Sequence, residues 1–155
     1  SKVPKNCSQD DIALQLINSD IDLALGGGKR HFLPLEIVGQ KGKRTDSRNL
    51  IEEFKNSGGI YLNNENDFQN YKIDTTKRLI GLFADSHFPY LAKEENKPSL
   101  LDLTNLAIEY LDKNKNGYYL LIEAGRIDHG HHAGKLNYVL RQTQQFNKLI
   151  QNIIL

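Results

Sequence analysis

Short apolar runs alternate with helix-like stretches along this chain, and that alternation constrains its fold more than any other feature. Ile21 to Leu25, Ile60 to Leu62, Arg78 to Ala84 and Tyr118 to Ile122 read as strands. Helix signals lie between them. Ser8-Gln9-Asp10-Asp11 and the stretch Ser99 to Asp102 each set a hydroxyl three residues ahead of a carboxylate, the pattern of a capping box. The first opens a helix with Ile12, Leu16 and Ile17 on one face, closed at Asp20; the second opens a helix reaching about Lys113. Asn49 to Lys55 is an amphipathic helix stopped by Ser57-Gly58-Gly59, and Glu65 to Tyr71 a helical turn. Strands separated by helices imply βαβ units. The expected fold class is therefore α/β, a mostly parallel central sheet flanked by helices on both faces. Tyr118 to Ile122 follows a turn at Asn114 to Gly117 and is unbroken in its apolar character, the pattern of a strand buried on both faces. Ala124-Gly125 turns the chain into a last long helix, with Gly134 as its point of interruption.

Composition narrows the classes. The chain has 155 residues, about one domain's length, with 20 Lys+Arg against 19 Asp+Glu and a net charge of +1. That balance argues against a duplex-binding basic domain, so no nucleic-acid partner is expected. Hydrophobic residues at 39% are enough for a core, yet no apolar run approaches the roughly 18 residues of a membrane helix. Cys7 is the single cysteine, which excludes an internal disulfide framework and a Cys-rich zinc module. Met is absent, and the apolar helical pattern of Phe146 to Leu155 is still running at its last residue. The expectation from both is a segment of a longer chain.

The chemistry concentrates in Glu123-Ala124-Gly125-Arg126-Ile127-Asp128-His129-Gly130-His131-His132, which holds three of the five histidines. Glu123 stands at the C-terminal end of the expected buried strand, where open α/β sheets place their ligands. Asp128 and His132 are four apart, so a helix would project both from one face. A carboxylate and an imidazole so placed can share one cation, and both are ordinary zinc ligands. The bland alternative is a solvated, polar helix start. It explains a lone Asp-x-x-x-His pair well, but less well the extra glutamate and histidines at the mouth of a sheet.

Other motifs carry less. Gly26-Gly27-Gly28-Lys29-Arg30 lacks the spacing and the Lys-Ser/Thr pair of a phosphate loop and reads as a tight strand exit. Asp85-Ser86-His87 are adjacent and cannot easily make a nucleophile–base–orienter geometry. Leu33 to Ser47 reads as a polar loop in which Lys41, Lys43 and Arg44 form a small solvated basic cluster. Tyr118-Tyr119 reads as core and strand edge.

Ile122 to His132 is similar to the metal-ligand signature of the alkaline phosphatases. Asp22 to Arg30, Gly81 to Tyr90 and Pro98 to Glu123 resemble further blocks of that family in order and spacing. The resemblance implies hydrolysis of phosphate monoesters through a phosphoserine intermediate, with two zinc ions and one magnesium ion. It implies that Glu123 ligates magnesium, that Asp128 and His132 ligate the zinc that activates the hydrolytic water, and that His129 sits close to the phosphate and to the groups around the magnesium without being a metal ligand. The family's Asp-Ser-Ala/Gly nucleophile block does not occur here, so residues 1–155 are expected to be the central segment of one catalytic domain and inactive alone. The N-terminal nucleophile region and the C-terminal metal-ligand region are expected to lie outside this segment. The alternatives are a metal-dependent phosphodiesterase or sulfatase of the same superfamily, or a non-catalytic metal-binding module. By the same resemblance the protein is expected in the periplasm or at the cell surface, with dimers common in the family. In that compartment Cys7 is expected to pair with a cysteine ahead of Ser1.

Overall fold

The computed structural model of the protein describes residues 8–36, 41–90 and 98–154. Cys7 and residues 37–40 of the expected polar loop lie outside the described residues, as do residues 91–97. The chain divides into two compact units, Ser1–Ser86 and His87–Leu155.

The first unit opens with α1 (Gln9–Ile17) and runs through β1 (Leu23–Gly26), α2 (Leu50–Asn56), β2 (Ile60–Leu62), α3 (Glu65–Asn70) and β3 (Leu79–Leu82). Its three strands are all parallel, in the order β1-β3-β2, with Leu23 and Ile60 both opposite Leu79. The central strand β3 is buried at all four positions, which is why its sequence is a continuous apolar run. Ala13 and Ile17 of α1, Leu50, Ile51 and Phe54 of α2, and Ile80 and Leu82 of β3 share one core with Phe32 and Leu33. Leu50 and Leu79 are fully enclosed, each contributing about 1.5–3 kcal/mol by burial.

The helix starts follow the sequence closely. Ser8 caps α1 through its hydroxyl, which accepts from the Asp11 N–H at 3.1 Å, and the Asp11 carboxylate accepts the Ser8 N–H in return. That reciprocal bonding holds the Asp11 carboxyl below its usual range. Three features differ from the sequence reading. The inward face of α1 is Ala13 and Ile17, and Ile12 is exposed, one position round the helix. The helix stops at Ile17 rather than Asp20, and the Arg78 guanidinium gathers carbonyls at and beyond its end, donating to Leu16 O, Ile17 O and Ile21 O at 2.8–3.0 Å. Arg44 is not part of a solvated cluster. It is buried, donating to the carbonyls of Asp10 (2.8 Å) and His31 (3.2 Å) and pairing with Asp46, whereas Lys41 and Lys43 remain exposed.

The second unit contains α4 (Leu100–Leu111), α5 (Arg126–His132) and α6 (Leu136–Ile154). A second capping box, Ser99 with Asp102, opens α4. The expected last helix is two, α5 and α6, divided at Gly134, whose φ of 63° only glycine adopts without cost. Tyr118 to Ile122 corrects the sequence reading. Among the described residues it pairs with no strand, and Tyr119 and Leu121 are 87% and 76% exposed. Leu120 and Ile122 are half-buried, so the segment alternates its faces as extended chain does. A strand is buried on both faces only when neighbours take its backbone groups, and among the described residues no strand does so here.

Candidate metal centre

The centre is built on α5. The helix begins where Ile127 N–H donates to Ala124 O and His129 N–H to Gly125 O. It ends in a Schellman closure: Gly134 N–H donates to His131 O and Lys135 N–H to Gly130 O, at 3.0 and 2.9 Å. Between these ends Gly130 is buried against α6. A Cβ there would lie 2.8 Å from Val139 Cγ2, so only glycine lets the two helices approach this closely. One turn therefore carries its polar residues outward while Gly130 fixes its back.

Asp128 and His132 project together. His132 Nε2 lies 3.4 Å from Asp128 Oδ1, and the side chains are 80% and 71% exposed. A tetrahedral zinc with bonds of roughly 2.0–2.1 Å spaces neighbouring donors about 3.3–3.4 Å apart, so this pair already spans one edge of such a site. The donor set, carboxylate with imidazole, suits zinc as well. Glu123 lies on the extended segment ahead of α5, exposed, with its Oε1 3.1 Å from where a Cβ on Gly125 would sit. It does not join the pair: among the described residues no three His, Cys, Asp or Glu side chains converge on one cation position. His131 is exposed on the same turn.

His129 faces another set of partners. Its Nδ1 is 3.0 Å from Arg126 Nη1, and its ring stands edge-on to His87 with centroids 4.3 Å apart at 61°. The Arg126 guanidinium carbon is 3.7 Å above the Tyr90 ring, and Tyr90 stacks on Tyr138 at 4.8 Å and 28°. Sequence reasoning did not find His87, Tyr90, Arg126 or Tyr138. Only the three-residue spacing of Arg126 and His129 hints at their contact on a helix.

The remaining motifs fall away for physical reasons. In the Gly26-Gly27-Gly28 exit, the N–H groups of Gly28, Lys29 and Arg30 donate to the carbonyls of Ser86, Ala84 and Asp85, so these three are not left to cradle a phosphate. A Cβ on Gly27 would lie 2.2 Å from Ser86 O, which accounts for a glycine there. Lys29 Nζ is committed to Asn63 Oδ1 at 3.3 Å and Asp85 Oδ1 at 3.5 Å. Beside them Tyr61 donates its hydroxyl to Asn63, and burial together with Asp67 and Asp85 pushes its phenol pKa up. Asp85 is held by Lys29, and the His87 ring packs on His129.

Parallel strands joined through helices define an α/β protein, and the carboxylate–imidazole pair on α5 is its candidate metal-binding feature. The comparisons narrow the class. Residues 2–154 match the family model for alkaline phosphatase. The alkaline phosphatase of Gadus morhua is 36% identical over 90% of this chain and 33% of its own length. The membrane-bound alkaline phosphatase of Bombyx mori is 36% identical over 91% of this chain and 28% of its own. The crystal structure of Thermus thermophilus alkaline phosphatase aligns with a TM-score of 0.76 at 26% identity, covering 93% of this chain and 29% of that one. The chain belongs to the alkaline phosphatase family, and it spans about a third or less of the length of these relatives.

Proposed function

We propose that this chain is the metal-gripping central part of a phosphate monoester hydrolase, with Asp128 and His132 as ligands of one zinc, Glu123 as a ligand of magnesium, and His129 beside the phosphoryl group. The observation that carries this reading is the 3.4 Å between His132 Nε2 and Asp128 Oδ1, a tetrahedral zinc edge on one helix face. Glu123, a lone hard oxygen donor standing apart from the pair, suits magnesium. When bound, the two zinc ions and the magnesium supply Lewis-acid charge that draws electron density from the phosphoryl oxygens. The chain's own work is to hold ligands at fixed spacing, which α5 does by closing both its ends and burying Gly130. The reading includes a phosphoserine intermediate on a serine outside this sequence, so residues 1–155 alone turn over no phosphate monoester. A place at the outer surface of the cell, in the periplasm or outside it, agrees with the name of the Bombyx mori relative. Among the described residues no helix is long and apolar enough to cross a membrane.

Metal analysis of the whole protein and its variants tests the assignment. Asp128→Ala and His132→Ala lower zinc content and cut turnover severely. Glu123→Ala keeps most zinc and loses magnesium. Loss of zinc in Glu123→Ala with retention in Asp128→Ala overturns the ligand assignment. Hydrolysis of a phosphodiester or sulfate ester in place of a monoester overturns the reaction class.

A further inference from the structure

We propose that Arg126 is a positioning residue that fixes the orientation and tautomer of His129, and that it is itself held in place by the Tyr90–Tyr138 stack. Arginine carries only donors, so the 3.0 Å contact between Arg126 Nη1 and His129 Nδ1 obliges Nδ1 to accept. The ring hydrogen then sits on Nε2, and Nε2–H is the one polar group that His129 offers to its surroundings. A half-turn of the ring about χ2 would exchange Nδ1 for a carbon and lose the bond. The edge contact with His87 at 4.3 Å restrains the same rotation from a second direction.

What orients Arg126 is an aromatic face rather than a carboxylate. Its Nε is buried and has no hydrogen-bond partner among the described residues. The guanidinium lies instead on Tyr90 at 3.7 Å, well inside the roughly 6 Å reach of a cation–π contact. Tyr90 in turn rests on Tyr138 of α6, and Lys135 Nζ stands 5.3 and 5.6 Å from the two rings. A stacked guanidinium keeps its plane and direction without neutralising its charge, so Arg126 arrives at His129 as a fixed, fully charged donor. The consequence for the site rests on the reading of Asp128 and His132 as zinc ligands: His129 is presented as an N–H donor to an anionic oxygen, and its Nδ1 is withheld from the metal.

The test is nitrogen NMR of the full chain labelled with 15N-histidine, with His129 assigned by comparison with His129→Gln. The expected pattern is an unprotonated Nδ1 and a protonated Nε2. In Arg126→Met, which keeps the stem and removes the donor, the two nitrogen shifts move toward each other as both tautomers populate. Tyr90→Leu gives the same averaging, whereas Tyr90→Phe, which keeps the stack, restores the original pattern. Should Arg126→Met fail to fold, the Tyr90→Leu and Tyr90→Phe pair carries the test. A protonated Nδ1 in the unaltered chain overturns the proposal, as does an unchanged pattern in Arg126→Met or in Tyr90→Leu. In the whole protein Arg126→Met lowers turnover about tenfold at unchanged zinc content, within the range for groups that orient a site from outside it. Parallel loss of zinc and of folded protein would assign Arg126 a merely structural role instead. Zinc content in Asp128→Ala reads the metal assignment separately: if it is unchanged while the His129 pattern is as expected, only the metal reading fails.

Discussion

Gly130→Ala should change sign with the residue it faces. In a helix interior alanine is favoured over glycine by about 1 kcal/mol. At this position the new Cβ would sit 2.8 Å from Val139 Cγ2 and 3.5 Å from the Val139 backbone nitrogen. Ordinary carbon contacts begin near 3.5 Å, so α5 must withdraw from α6 by most of an ångström or the short Val139 side chain must leave its rotamer. Overpacking of this kind costs about 1–3 kcal/mol. The net effect of Gly130→Ala is then a loss of up to about 2 kcal/mol, the propensity gain offsetting part of the strain. In a Val139→Ala background the obstructing methyl is gone, only the propensity gain remains, and the same substitution stabilises by about 1 kcal/mol. The coupling between the two sites is therefore about 1–3 kcal/mol, favourable to the double variant. With a urea slope of about 2 kcal/mol/M, this is a difference of roughly 0.5–1.5 M in midpoint between the observed double variant and the sum of the singles. Urea unfolding of the four proteins, followed by far-ultraviolet circular dichroism, measures it. Additive midpoints would refute the claim that Gly130 is there for the close approach of α5 to α6. The same clash displaces the turn that carries Asp128 and His132, so Gly130→Ala is also expected to weaken zinc retention while both ligands are intact.

Two further expectations concern the first unit. Arg44→Met leaves the carbonyls of Asp10 and His31 without their buried donor and should cost about 2–4 kcal/mol in urea unfolding; a loss below 1 kcal/mol would contradict the role given to Arg44. The hydrogen bond from Arg44 holds the Asp46 carboxyl below its ordinary range, so its stabilisation is fully present above the unfolded value of about 3.9 and is lost as pH falls through the lower folded value. Asp46→Asn should therefore lower stability at neutral pH and flatten the decline as pH falls below about 4. An acid limb as steep as that of the unaltered chain would contradict it.

What could be read from the sequence was local. Ser8 with Asp11 and Ser99 with Asp102 announced two helix starts, because a capping box is closed within four residues and needs nothing from the rest of the fold. β3 was legible because a central parallel strand must be apolar at every position. Arg44 and Arg78 were not legible. Each is enclosed by carbonyls distant in sequence, and a chain read locally shows only a charged residue in a polar stretch. Tyr118 to Ile122 failed in the opposite direction. Its apolar run records a preference for burial, and whether burial happens depends on a neighbouring strand that no local pattern encodes.

The site divides along the same line. Four-residue spacing was enough to bring Asp128 and His132 together, since helix geometry alone sets their separation once α5 forms. The same reasoning separated Glu123, which precedes the Ala124-Gly125 turn and stays apart from the pair. Helical spacing could also have suggested that Arg126 meets His129. It could not show that Arg126 would be aimed by Tyr90, or that His87 would lie against the ring, because those residues come from a different stretch of chain. The pairing of Asp128 with His132 is thus written in short-range periodicity, whereas the surroundings of His129 are written in packing. A substitution at Tyr90 or Tyr138 should for that reason disturb His129 while the Asp128–His132 spacing, set within α5 itself, stays as it is.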